Sequence, residues 1–73
     1  MTTRDPVWLF AERLRELRDK AGVSQEKLAE MANLHRNTIG LVERGKQKPT
    51  LDLIVKIAHA LKLKPYELIK HIP

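Results

Sequence analysis

Apolar side chains recur along this chain at steps of three and four, with no alternating strand pattern. Phe10, Leu14, Leu17 and Ala21 fall on one stripe, which predicts a helix. Asp5-Pro6 supplies its cap and first-turn residue, and Gly22 ends it. Ser24 caps a second helix with Leu28, Ala29 and Ala32 inward, and Asn33 takes the following turn, where it tolerates a left-handed backbone. A third helix is expected from about His35 to Arg44, stopping at Gly45. After the loop "GKQKP", Thr50 caps a fourth helix that reaches about Leu61, and Pro65 opens a short fifth ending near His71. No Asn-Gly or Asp-Gly hairpin signal is present. The expected fold class is all-α, a compact five-helix domain spanning 1–73.

The third helix has a side that a core does not explain. On a wheel, Thr38, Ile39, Val42 and Glu43 take one side, and Arg36, Asn37, Gly40, Leu41 and Arg44 take the other. Ile39 and Val42 read as core. The opposite side mixes a guanidinium, an amide, a bare backbone and an isolated leucine. Gly40 costs about 1 kcal/mol against alanine in a helix interior. A merely solvated helix more naturally carries Glu, Lys and Ala there.

Length and composition narrow the classes. Seventy-three residues have room for one modest core, and the absence of cysteine excludes disulfides and thiolate metal sites. That fits a reducing compartment, and a cytoplasmic protein is expected. The start "MTTRDPVWLF" has no signal-peptide pattern, and no apolar run approaches the roughly 20 residues of a membrane span. Charge is uneven. Basic and acidic side chains cancel over residues 1–33, so residues 34–73 carry the whole net charge of +5. There Arg36, Arg44, Lys46, Lys48, Lys56, Lys62, Lys64 and Lys70 face only Glu43, Asp52 and Glu67. Basic charge gathered in one half suits a polyanionic partner.

From "LRELRDKAGVSQEKLAEMANLHRNTIGLVERGKQKPTLDLIVKIAHAL" the chain resembles the helix-turn-helix domain of the phage repressor and Cro family. The resemblance runs from about Phe10 to Leu68. It rests on Leu14, Leu17, Gly22, Ser24-Gln25, Leu28-Ala29, Ile39, Glu43, Gly45, Pro49, Ile54, Ala58 and Leu61 at fixed spacing. It implies a lambda-repressor-like fold, with the helix-turn-helix unit at about 24–44. The small size is similar to restriction–modification controller proteins.

The resemblance also implies roles. His35, Arg36, Asn37, Gly40 and Leu41 stand at the family's base-reading positions. The chemistry agrees: a helix fits the major groove, Arg pairs with guanine, Asn with adenine, and Leu meets a thymine methyl. Gly40 is expected to let the backbone approach closely. Ser24 and Gln25 open the second helix, where free N–H groups and the helix dipole favour a phosphate. Arg44, Lys46, Gln47 and Lys48 flank the third helix as further phosphate contacts. Arg18 and Glu43 are expected to form a structural ion pair, since a lone inward carboxylate is costly. Two departures from the family pattern are Asn33 at the turn in place of glycine, and Lys62 and Lys64 where glycine and a serine-like cap are common.

The fourth helix suggests a second copy of the chain as partner. Leu51, Ile54, Val55, Ala58 and Leu61 are read as its core stripe, and Leu53, Ile57 and Ala60 widen the apolar arc to roughly 220°. Leu53 and Ile57, with Tyr66, Ile69 and Ile72, are the expected homodimer interface within about 50–71. Trp8 and Leu9 miss the first helix's stripe. Double-stranded DNA and, for a regulator, RNA polymerase are the other partners implied. No cofactor, metal, small-molecule ligand, membrane contact or catalytic residue is expected. Glu12 and Glu16 share a face, but Arg13 and Arg15 beside them point to salt bridging rather than acid–base work. The expected function is that of a sequence-specific DNA-binding transcriptional regulator acting as a homodimer on a palindromic operator, and the alternative is a protein-interaction module such as an antitoxin-like partner.

Overall fold

The computed structural model describes residues 5–73, and every regular element in it is helical. The order is α1 (Pro6–Ala21), α2 (Gln25–Met31), α3 (Thr38–Glu43), α4 (Leu51–Ala60) and α5 (Tyr66–Ile69). Three starts are capped as the sequence predicts. Asp5 accepts the Val7 N–H, Ser24 accepts the Lys27 N–H, and Thr50 accepts the Leu53 N–H.

The first four helices close in one way. A residue of positive φ follows each: Gly22 at 73°, Asn33 at 58°, Gly45 at 72° and Lys62 at 60°. The next residue's N–H then reaches back five positions, as in Val23 to Arg18 O, Leu34 to Ala29 O, Lys46 to Leu41 O and Leu63 to Ala58 O. This left-handed closure satisfies carbonyls that the helix end leaves open. Asn33 and Lys62 show that the two departures from glycine keep the same backbone.

α3 starts three residues later than expected. His35 to Asn37 form a turn in which the His35 Nδ1 accepts the Asn37 N–H at 3.1 Å and the His35 carbonyl accepts the Thr38 N–H at 2.9 Å. Those bonds take the place of the first helical turn. α5 is also shorter than expected, ending at Ile69 rather than near His71, and no side-chain cap marks its start at Pro65.

One core joins all five helices. Phe10, Leu14, Leu28, Ile39, Val42, Ile57 and Leu68 are fully buried. α1 packs on α3 and α5, α2 packs on α3 and α4, and α4 packs on α5. The core stripe of α4 is centred differently from the sequence reading. Leu53 and Ile57 are 5% and 0% exposed, whereas Leu51 is 76% exposed. Placing Leu53 and Ile57 at a dimer interface is therefore corrected: the monomer itself covers them. Leu68, not singled out in the sequence, is α5's anchor in the core. Tyr66 and Ile69 remain exposed, and Ile72 is half-buried against the core.

Candidate nucleic-acid interface

α2 and α3 pack together, held in place by Leu28, Ala29, Ile39 and Val42 beneath them. On their outer side Gln25 and Glu26 of α2 meet Arg36, Asn37, Gly40, Leu41 and Arg44 around one shallow cleft of about 210 Å³. Sequence reasoning had named every one of these except Glu26. Arg36 and Asn37 lie on the turn entering α3, and both are exposed. Leu41 is half-buried. His35 is exposed, and its Nδ1 is occupied by the Asn37 N–H, so Nε2 is the nitrogen left to donate outward.

Gly40 differs from expectation. It is buried, and its open side is filled from within the protein. A Cβ built there would stand 3.0 Å from Gln25 Oε1 and 3.1 Å from an Arg44 terminal nitrogen. The glycine makes room for side chains rather than for an approaching backbone of a partner.

Gln25 differs too. Its Nε2 donates to Glu43 Oε1 at 2.9 Å, so one of its two amide hydrogens points inward. Glu43 is the hub beneath the cleft, with a side chain wholly removed from solvent. Arg18 grips it with Nε on Oε2 at 2.7 Å and Nη2 on Oε1 at 3.1 Å. Arg15 adds Nε on Oε1 at 3.4 Å. Burial pushes the Glu43 carboxyl up, but the hydrogen bonds from Arg18 and Gln25 outweigh it and hold the group below its usual range. The same hydrogen bond raises Arg18 above the ordinary arginine value. Among the described residues no buried side-chain nitrogen or oxygen lacks a partner.

Arg18 and Glu43 thus pair as expected. Arg15 and Gln25 were missed as members, because neither lies on an apolar stripe. Arg13 was read as a partner for α1's own carboxylates; it does reach Glu16 at 3.1 Å, and it also donates to the Glu67 carbonyl at 2.8 Å, tying α1 to α5.

Among the described residues Arg36 and Arg44 on the cleft, and Lys46 and Lys48 on the loop after α3, have no carboxylate partner, whereas Lys27 and Lys56 each hold one on their own helix and Lys70 holds Glu67 of α5. Lys20, Lys62 and Lys64 are also unpaired, but lie away from α3 in sequence. Ser24 is exposed and spends its oxygen's acceptor role on the Lys27 N–H, leaving its hydroxyl hydrogen free. Gln47 is half-buried between the two loop lysines. Glu26 places a carboxylate in the first turn of α2, where it favours the helix dipole and competes with a phosphate. It can also accept from a cytosine amino group.

A larger hollow of about 420 Å³ lies along α1, lined by Trp8, Glu12, Arg15, Glu16 and Asp19 among others. Its acidic lining has the wrong sign for a phosphate backbone. No described helix is long and apolar enough to cross a membrane.

Several known proteins are similar to this chain. The chain is 44% identical over 62 residues to the Control protein C.BamHI of Bacillus amyloliquefaciens, covering 84% of this chain and 76% of that one. It is 43% identical over 53 residues to the Control protein C.SmaI of Serratia marcescens, covering 73% of this chain and 63% of that one. The crystal structure of the restriction-modification controller protein C.AhdI from Aeromonas hydrophila superposes with a TM-score of 0.82 at 47% identity, over 85% of this chain and 94% of that one. The Helix-turn-helix family model matches residues 14–68, which include the whole cleft and its supporting core, and the chain belongs to that family.

Proposed function

We propose that the protein is a transcriptional regulator that binds double-stranded DNA as a homodimer on a palindromic operator, in the manner of a restriction–modification controller. The observation that carries this reading is the cleft between α2 and α3. It gathers the Arg36 and Arg44 guanidiniums, the Gln25 and Asn37 amides and the Leu41 side chain on one surface, and the exposed Lys46 and Lys48 follow on the loop after α3. Arg36, Asn37 and Leu41 supply the donor, bidentate amide and methyl-facing groups that base edges require. His35 adds its outward Nε2. Arg44, Lys46, Gln47 and Lys48, with Ser24 and the second amide hydrogen of Gln25, contact phosphates and fix register. The names of the relatives carry the control of restriction and modification to this chain as part of the same proposal.

Exposed apolar side chains support the dimer. Leu51, Tyr66 and Ile69 are 76%, 55% and 40% exposed. A mostly apolar hollow of about 230 Å³, lined by Pro6, Val7, Ile54, Ile69 and Ile72 and rimmed by Lys48, joins α1, α4 and α5. A second copy would cover this surface, which takes the place of Leu53 and Ile57 in the expected interface. Two reading heads related by a twofold axis match a palindrome. Contact with RNA polymerase would follow from bound position on a promoter.

Selection of bound duplexes from a random pool tests the reading. A palindromic consensus, bound with a steep salt dependence, is the expected result. Recovery of unenriched sequence would overturn it.

A further inference from the structure

A glycine in the middle of a short helix is less favourable than alanine, so its presence needs a reason. Gly40 has none of the usual ones. Its backbone is not in the left-handed region that calls for glycine, since only Gly22 and Gly45 have positive φ among the glycines. No backbone crowds it either. The nearest atoms to a Cβ at this position are the Gln25 Oε1 at 3.0 Å and carboxamide carbon at 3.7 Å, and an Arg44 terminal nitrogen at 3.1 Å. Both neighbours are polar side chains of the α2–α3 cleft.

Gln25 is not free to step aside at no loss. Its Nε2 is held by Glu43 at 2.9 Å, and Glu43 is itself clamped by two hydrogen bonds from Arg18. With the nitrogen turned inward, the carbonyl oxygen is turned toward Gly40. The buried ion pair therefore decides which way an interface amide faces, and Gly40 leaves it the room.

We propose that Gly40 is a positioning residue for DNA binding, acting through Gln25 and Arg44: the glycine seats both side chains, and Glu43 orients the first of them. This inference rests on the DNA-binding reading. An added methyl at position 40 meets the ends of flexible side chains, so the fold accommodates it. The cost falls on the interface, where Gln25 and Arg44 are pushed from the places in which they meet phosphates.

The test is a double-variant cycle in DNA affinity. Wild type, Gly40→Ala, Gln25→Ala and the double variant are titrated by fluorescence anisotropy against mixed-sequence duplexes of about 30 base pairs, long enough for two half-sites. Mixed sequence suffices because phosphate contacts dominate such binding. Gly40→Ala is expected to keep a thermal midpoint within a few degrees of wild type and to lose affinity by about tenfold, as for one missing hydrogen bond to a charged group. Its salt slope should fall by about one unit for each phosphate that the displaced side chains no longer reach. In the Gln25→Ala background the niche is already half empty, so the same substitution should cost less than about threefold. A Gly40→Ala protein that binds as tightly as wild type overturns the proposal. So does an undiminished loss in the Gln25→Ala background, or a collapsed thermal midpoint, which would assign the glycine to the fold. A wild-type protein that fails to bind the duplexes sinks the DNA-binding reading itself, an outcome distinct from these.

Discussion

Arg18 and Glu43 meet side by side across the α1–α3 packing, with Nε to Oε2 at 2.7 Å and Nη2 to Oε1 at 3.1 Å. The arginine side chain is 13% exposed and the carboxylate 0%. Arg18 spends a further donor on the Val23 carbonyl at 2.8 Å, which binds the α1–α2 link to the same group. A bidentate pair of this kind has little tolerance for losing one member, because the remaining charge stays buried.

Glu43→Ala is expected to destabilise the fold by about 3–5 kcal/mol, leaving Arg18 and the Gln25 amide without their acceptor. Chemical denaturation measures it. A loss under about 1 kcal/mol would mean that the pair behaves as a solvated surface bridge.

The same carboxylate sets a pH dependence. Its folded-state pKa lies below the ordinary 4.5, so the folded chain binds this proton less readily than the unfolded chain. The stability it contributes is present above about pH 4.5 and is lost as pH falls through the lower, folded value. Glu67, held down first by its hydrogen bond from Lys70, acts in the same direction at the surface. Denaturation midpoints followed from about pH 7 to 3 should fall less steeply in Glu43→Gln than in wild type. Equal acid sensitivity of the two proteins would remove Glu43 as the main titrating group.

Much of this was legible in the sequence, and the failures have physical reasons. The caps at Asp5, Ser24 and Thr50 and the closure at Gly22 are local, so spacing alone located them. α3's outward set was found from a wheel because its inner side, Ile39 and Val42, is narrow. α4 defeated the same method. Its apolar arc is so wide that Leu51 and Leu53 are equally good candidates for its centre, and only packing by α2 and α5 chooses Leu53 and Ile57. Gly40 was misread because a wheel shows which way a position points but not what another helix lays over it. Gln25 reaches it from a separate element.

Helix closure offers a third prediction. Asn33 and Lys62 both hold positive φ, but asparagine visits that region far more readily than lysine. Lys62→Gly should therefore stabilise by up to about 1 kcal/mol, the relief exceeding glycine's extra unfolded-state entropy. Asn33→Gly should change stability by less than about 0.5 kcal/mol. The thermal midpoints of the two variants provide the comparison. A gain from Asn33→Gly larger than that from Lys62→Gly would contradict this ranking.

The dimer surface can be separated from the core by two glutamates. Ile57→Glu places a charge at a fully buried site and should abolish folding, as judged by circular dichroism. Leu51→Glu alters an exposed side chain and should leave a folded chain of weakened self-association. Sedimentation at about 100 µM, well above a micromolar dimer constant, reads the association. Wild type sedimenting as a monomer there would refute the dimer, and a fully dimeric Leu51→Glu would move the interface elsewhere.

The last prediction separates reading from holding. Arg36 and Lys46 are both exposed and both without a carboxylate partner among the described residues. Alanine at either removes one positive charge, so charge alone predicts equal losses on any DNA. Base reading predicts unequal ones. Arg36→Ala should cost about 1–3 kcal/mol on a selected operator and relax preference at one base pair in each half-site. Its loss on random duplex should be smaller, because only the electrostatic part remains there. Lys46→Ala should weaken operator and random duplex alike and lower the salt slope by about one unit. Titrations of both variants on both duplexes, at several salt concentrations, make the comparison. If Arg36→Ala keeps the full wild-type sequence preference, the turn into α3 is not the reading head, and the α2–α3 cleft holds DNA without reading it at that position.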